Sequence, residues 1–294
     1  MNDQVRVASA GSYGLGEGPV WDAPRRRVLW VDIDAGVVHE GRLDGDQVTP
    51  TRSRHFDDTV GAVVCAPGGE LLIAGARSLI TVTAAGPRFG PELFPATARR
   101  RCNDGACDPQ GRFLIGTLAQ DDARGGETLV RIEPDRSVTV LDDDLTLSNG
   151  LAWSPDGTLL YSIDSTPGVV WVRDYAETPG PRREWLRFPG ETPDGMCADA
   201  EGHLWIAFWG SGQVRRYTPG GVLAGVLDLP VPNPTSVAFV GDDLDLLLIT
   251  TATNELSPQR LAAHPDSGRL FLARPGVTGL PVPAWAGPEG EPCS

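Results

Sequence analysis

Asn149 to Asp164 reads NGLAWSPDGTLLYSID: a polar starter, a short apolar run, a turn of Ser, Pro, Asp and Gly, then a second β-prone run. Pro, Asp and Gly supply turn backbone while Leu, Tyr and Ile favour strands, so the stretch spells a β-hairpin. The same grammar recurs in EGPVWDAPRRRVLWVDI from Glu17, GAVVCAPGGELLIAG from Gly61, NDGACDPQGRFLIGT from Asn103, DGMCADAEGHLWIAF from Asp194 and TSVAFVGDDLDLLLIT from Thr235. Starters 41 to 46 residues apart match the period of a four-stranded propeller blade. Runs such as Val37-Val38-His39 and Val169-Val170-Trp171-Val172 supply the further strands. Six repeats use up the chain and predict one all-β domain over residues 1–294, a six-bladed β-propeller with a central metal-binding channel. Val5-Arg6-Val7 is expected to join the last blade and close the circle. Gly180-Pro181-Arg182-Arg183 reads as a loop, and Pro281 to Pro292 as a loose terminus.

Composition bounds the partners. With 40% hydrophobic and 22% charged residues the chain can bury a sizeable core, and 36 Gly with 26 Pro favour many tight turns. A net charge of −14 repels polyanions, which argues against nucleic acid and membrane surfaces as partners. Cys65, Cys102, Cys107, Cys197 and Cys293 show no paired spacing, and read as reduced core thiols rather than a disulfide framework or a zinc site. Met1 to Ala10 lacks the apolar stretch of a signal peptide, and no run reaches the roughly 18 apolar residues of a membrane helix. The expectation is a cytoplasmic protein, monomeric or weakly dimeric.

The starters carry the chemistry. In a propeller the innermost strand of each blade lines the channel, so Glu17, Gly61, Asn103, Asn149, Asp194 and Thr235 are expected to converge at one end of the axis. Two carboxylates and two amides gathered there are costly to bury, and a bound cation resolves the repulsion. An all-oxygen donor set suits a hard ion such as Ca²⁺, Mg²⁺ or Mn²⁺, with Zn²⁺ still open.

Four motifs resemble a known family. They are Glu17-Gly18-Pro19-Val20-Trp21; Arg101-x-Asn103-Asp104-Gly105 with Asp108-Pro109-x-Gly111-Arg112; Ser148-Asn149-Gly150-Leu151 with Trp153-Ser154-x-Asp156; and Pro193-Asp194-Gly195-Met196. In this order they resemble the gluconolactonase and regucalcin family, also called senescence marker proteins or luciferin-regenerating-enzyme-like proteins. The resemblance implies a propeller whose single divalent ion (Ca²⁺, Zn²⁺, Mn²⁺, Mg²⁺ or Fe²⁺) is held by Glu17, Asn149 and Asp194. It also implies that Arg101 and Asn103 contact a small-molecule sugar lactone. Asp121 stands where relatives usually carry a Glu that reaches the sugar, and is expected to bind substrate.

The implied reaction is hydrolysis of an aldonolactone to its aldonic acid. A Lewis acid would polarise the carbonyl while Asp194 acts as the base that activates water. Selectivity is expected from loops such as 120–127 and 208–212. Two other readings stand beside this one: a phosphotriesterase or aryl esterase on the same fold, and a non-catalytic metal-binding scaffold. The first often enlists a channel histidine, whereas His39, His55, His203 and His264 all fall outside the starter ring.

Overall fold

A computed structural model of the chain describes residues 5–121 and 123–287. It contains six four-stranded antiparallel sheets arranged as a six-bladed β-propeller, as expected from the repeats. The inner strands of blades 1 to 6 are Gly16–Asp22, Val60–Cys65, Arg100–Cys107, Ser148–Trp153, Thr192–Ala198 and Pro234–Val240. Each begins at or just before a starter. Blade 6 is completed by the N-terminal strand Arg6–Val7, which pairs with Phe271–Ala273 through Arg6 opposite Leu272 and Val7 opposite Phe271. Because the first strand of the chain sits in the last blade, the ring is closed by backbone hydrogen bonds.

The hairpin turns explain the repeated Asp-Pro-Gly signature. Asp108 is fully buried, and its carboxylate accepts from Gln110 N (2.9 Å), Arg112 N (2.8 Å), Arg112 Nε (2.7 Å) and Tyr175 OH (2.7 Å). Asp199 does the same for Glu201 N, His203 N, Trp205 Nε1 and Arg216 Nε. A carboxylate taking several donors offsets the cost of its burial and locks the turn.

The core is divided among the blade interfaces. One apolar cluster fills each: Trp21, Trp30 and Leu248 between blades 1 and 6, for example, and Leu114, Leu145 and Leu151 between blades 3 and 4. Both faces of the two innermost strands of a blade are therefore covered, which is why a run such as Leu246 to Ile249, in the second strand of blade 6, is apolar without alternation.

Three sequence expectations need correction. Arg183 begins a strand, Arg183–Arg187, so the connection ends at Arg182. Glu127 and Phe208 are buried strand residues and only the turns beside them are loops, because each sits in the hydrogen-bonded ladder of its blade. The tail is not loose at residues 281–287. Gly279 N donates to Leu244 O (2.8 Å), Trp285 N to Cys65 O (2.9 Å) and Ala286 N to Gly111 O (2.9 Å), so the segment straps blade 6 to blades 2 and 3. The rest of the Pro-rich segment, 288–292, lies outside the described residues, as does Cys293. Cys65, Cys102, Cys107 and Cys197 are free thiols. No helix among the described residues is long and apolar enough to cross a membrane.

Candidate functional site

Every inner strand carries a register shift at its starter: between Glu17 and Val20, Val60 and Ala62, Cys102 and Gly105, Asn149 and Leu151, Pro193 and Met196, and Pro234 and Val237. A bulge re-aims side chains that would otherwise alternate across the sheet. Repeated six times at one level, it builds a polar ring around the axis. Glycine is required where neighbouring strands meet: a Cβ on Gly61 would lie 2.2 Å from Asn103 O, and one on Gly150 would lie 2.6 Å from Asp194 O.

The ring brings together four of the six starters as polar side chains, all buried: Glu17, Asn103, Asn149 and Asp194. Gly61 contributes only its backbone. Thr235 turns sideways, its hydroxyl donating to Gly16 O (2.6 Å) and meeting Thr250 Oγ1 at 2.8 Å, which ties blade 6 to blade 1. Arg101 is buried too; its NH1 donates to Asn103 Oδ1 (2.7 Å) and Cys102 O (3.0 Å), while Asn103 Nδ2 reaches across to Ser148 O of blade 4 (2.9 Å).

Electrostatics marks the ring as strained in charge. Burial first, and then the charges of Asp194 and Asp104, hold the Glu17 carboxyl well above its ordinary range, although Gly18 N donates to its Oε2 at 2.9 Å. Asp194 is likewise held well above the usual value by burial and by Asp104, with Asn149 and Arg101 pulling the other way. Arg101 is pulled below the guanidinium range by burial, against the charges of Asp34, Glu17 and Asp194.

Asp104 is the residue that the sequence reading quoted within a motif but gave no role. Burial pushes its carboxyl up to about 6, against the Gly105 N–H, which donates to Oδ1 at 2.8 Å and favours the charged form. It sits in the bulge directly after Asn103, so both consecutive side chains face the channel. The doublet Asn-Asp before Gly was the available signal. Below the ring, Asp104 also faces a cavity of about 460 Å³ lined by Val20, Leu151, Met196 and Val237, and floored by the strap residues Leu280 and Pro281.

The residues fit a divalent cation. Asn149 Nδ2 donates to Ser165 Oγ (3.1 Å), which turns Oδ1 away, and that buried oxygen has no hydrogen-bond partner. Among the described residues no three His, Cys, Asp or Glu side chains gather closely enough to hold an ion unaided. Two raised carboxyls and an orphaned carbonyl are the donors a hard ion takes. Asp121 lies apart from the ring on the exposed turn after Phe113–Ala119, accepting from Ala123 N (3.3 Å) and standing 3.9 Å from Arg99 Nε. The four histidines also stay outside: His39 stacks on Trp30, and His264 sits 3.0 Å from Pro230 O.

Fold and site together define a six-bladed propeller with a buried, oxygen-lined ring at one end of its channel. The chain belongs to the SMP-30/gluconolactonase/LRE-like family, whose model matches residues 15–253. It is 36% identical to the 6-deoxy-6-sulfogluconolactonase of Pseudomonas putida, covering 98% of this chain and 100% of that protein. It is 33% identical to the regucalcin of Gallus gallus, covering 96% and 99%. Among solved structures, a calcium-binding regucalcin from Agrobacterium tumefaciens superposes with a TM-score of 0.89 at 28% identity, covering 96% of this chain and 97% of that one.

Proposed function

We propose that this protein hydrolyses sugar lactones with the help of one divalent ion held by Glu17, Asn149 and Asp194. The observation that carries the reading is the partnerless Asn149 Oδ1 set among buried carboxyls of raised proton affinity. The relatives supply the substrate class, since one is a lactonase of a modified gluconolactone and the family model carries gluconolactonase in its description.

An ion bound there supplies Lewis acidity to the lactone carbonyl. In this reading Asp194 takes the proton of the attacking water. Ring opening then returns a proton to the departing ring oxygen. Arg101 uses only NH1 in its bonds to Asn103 and Cys102, which leaves guanidinium donors for sugar hydroxyls and the developing oxyanion. Asn103 fixes Arg101 and contributes to sugar binding. Asp121, on the turn at the same end of blade 3, supplies the outermost sugar contact in this reading.

The test is acid release from a panel of aldonolactones, 6-sulfonated ones included, followed with a pH indicator and corrected for spontaneous hydrolysis. Chelated protein, protein with added Ca²⁺, Mn²⁺, Mg²⁺, Zn²⁺ or Fe²⁺, and Glu17→Ala are compared. We expect ion-dependent acceleration that falls at least about 100-fold in Glu17→Ala. An ion that binds without accelerating any lactone would overturn the reading, and would favour the phosphotriesterase or scaffold alternatives.

A further inference from the structure

Two buried aspartates that the reaction does not use occupy the same place in blades 1 and 4. Asp32 ends the second strand of blade 1 opposite Gly16, the residue before Glu17. Asp164 ends the second strand of blade 4 opposite Ser148, the residue before Asn149. They are 8% and 5% exposed.

Each makes the same set of bonds. Asp32 accepts from Gly14 N (3.0 Å) and Leu15 N (3.1 Å), while Leu15 O accepts from Ile33 N (3.0 Å). Asp164 accepts from Thr146 N (3.2 Å) and Leu147 N (2.9 Å), while Leu147 O accepts from Ser165 N (3.0 Å). The two residues leading into each inner strand are thus clamped to the end of the second strand. Ser165, the next residue after Asp164, in turn orients the Asn149 amide.

A purely architectural device would recur around the ring, because every blade has the same chain approach to secure. It does not recur. The equivalent positions in blades 2, 3, 5 and 6 are Gly75 opposite Val60, Thr117 opposite Cys102, Phe208 opposite Pro193 and Thr251 opposite Pro234, none of them a carboxylate. The clamp is confined to two blades that face each other across the channel, and those blades present Glu17 and Asn149.

We propose that Asp32 and Asp164 are positioning residues that set Glu17 and Asn149 for ion binding. The assignment rests on the reading that a divalent ion sits on Glu17, Asn149 and Asp194. Oxygen-to-ion distances tolerate shifts of only a few tenths of an ångström, and a released approach segment would let the bulged starter drift by more than that. Loss of such outer support typically costs 10–100-fold in metal affinity.

The experiment measures Ca²⁺ and Mn²⁺ affinity of the full chain by isothermal titration, with thermal melting of the metal-free protein alongside. Asp32→Ala and Asp164→Ala are expected to bind about 10–100-fold more weakly. Asp164→Asn keeps Oδ1, which alone accepts from both Thr146 N and Leu147 N, and should stay within about 3-fold of the parent, which separates positioning from long-range charge; Asp32→Asn loses one of its two bonds, because Gly14 N and Leu15 N use separate carboxylate oxygens, and should fall between parent and alanine. Asp108→Ala, a buried turn aspartate at the other end of blade 3, should melt earlier and bind normally. If an alanine variant does not fold, the serine variant, too short to reach the amides, reads the same affinity. Parent-like affinity in Asp32→Ala and Asp164→Ala would overturn the proposal, and so would an Asp164→Asn variant as weak as Asp164→Ala or an equal loss in Asp108→Ala. Failure of the parent itself to bind any divalent ion would instead sink the underlying metal reading, and this assignment with it.

Discussion

Glu17, Asp104 and Asp194 hold their protons more tightly in the folded protein than carboxyls do in an unfolded chain, because burial and mutual repulsion penalise their charged forms. The sign of the consequence follows. Protonation stabilises the metal-free fold, and that stabilisation is lost as pH rises through the raised values, about 6 for Asp104 and well above the ordinary range for the other two. Chelated protein should therefore melt at a lower temperature near pH 8 than near pH 5. A saturating divalent ion should reverse the order, since it needs the ionised carboxyls and adds about 2.7 kcal/mol at a hundred times its dissociation constant. Melting curves at both pH values, with and without ion, check this; an ion-independent pH trend would count against the ring as its origin.

At the scale of the strand, the bulge does the work. It places consecutive side chains such as Asn103 and Asp104 toward the channel, and it forces glycine where adjacent inner strands meet. Gly61→Ala puts a Cβ 2.2 Å from Asn103 O, a backbone atom that cannot rotate away. Overpacking of this kind typically costs about 1–3 kcal/mol, and here the upper end is expected. Gly126→Ala, with nothing within 4 Å of the added carbon, should change stability by less than about 0.5 kcal/mol. Urea midpoints of the two variants decide whether close approach at the ring, rather than glycine content as such, is what the blade needs.

Across the whole molecule, closure rests on few contacts. Arg6–Val7 pairs with Phe271–Ala273, and the strap from Gly279 to Ala286 crosses the far end of the channel. Removing residues 1–7 would leave Phe271–Ala273 as an unpaired edge beside the apolar cluster of blades 5 and 6. The melting temperature is expected to fall by about 5 °C or more, with new self-association visible by size-exclusion chromatography. A truncated protein that melts like the parent and stays in the same oligomeric state would show that the strap alone keeps the ring together.

Blade count, strand order and the level of the ring were all readable from residues, because a propeller repeats one local hairpin and its turn chemistry lies in adjacent positions. Asn149-Gly150 and Asp194-Gly195 announced their place in the ring through spacing alone. Two features depended on residues distant in sequence meeting in space. The neighbourhood of Asp104 depends on charges carried by blades 1 and 5. The docking of the Pro-rich tail depends on the carbonyls of Cys65 and Gly111, which no local pattern points toward. Hydrogen bonds within a hairpin follow from local backbone preference, whereas bonds between blades exist only once the ring has closed.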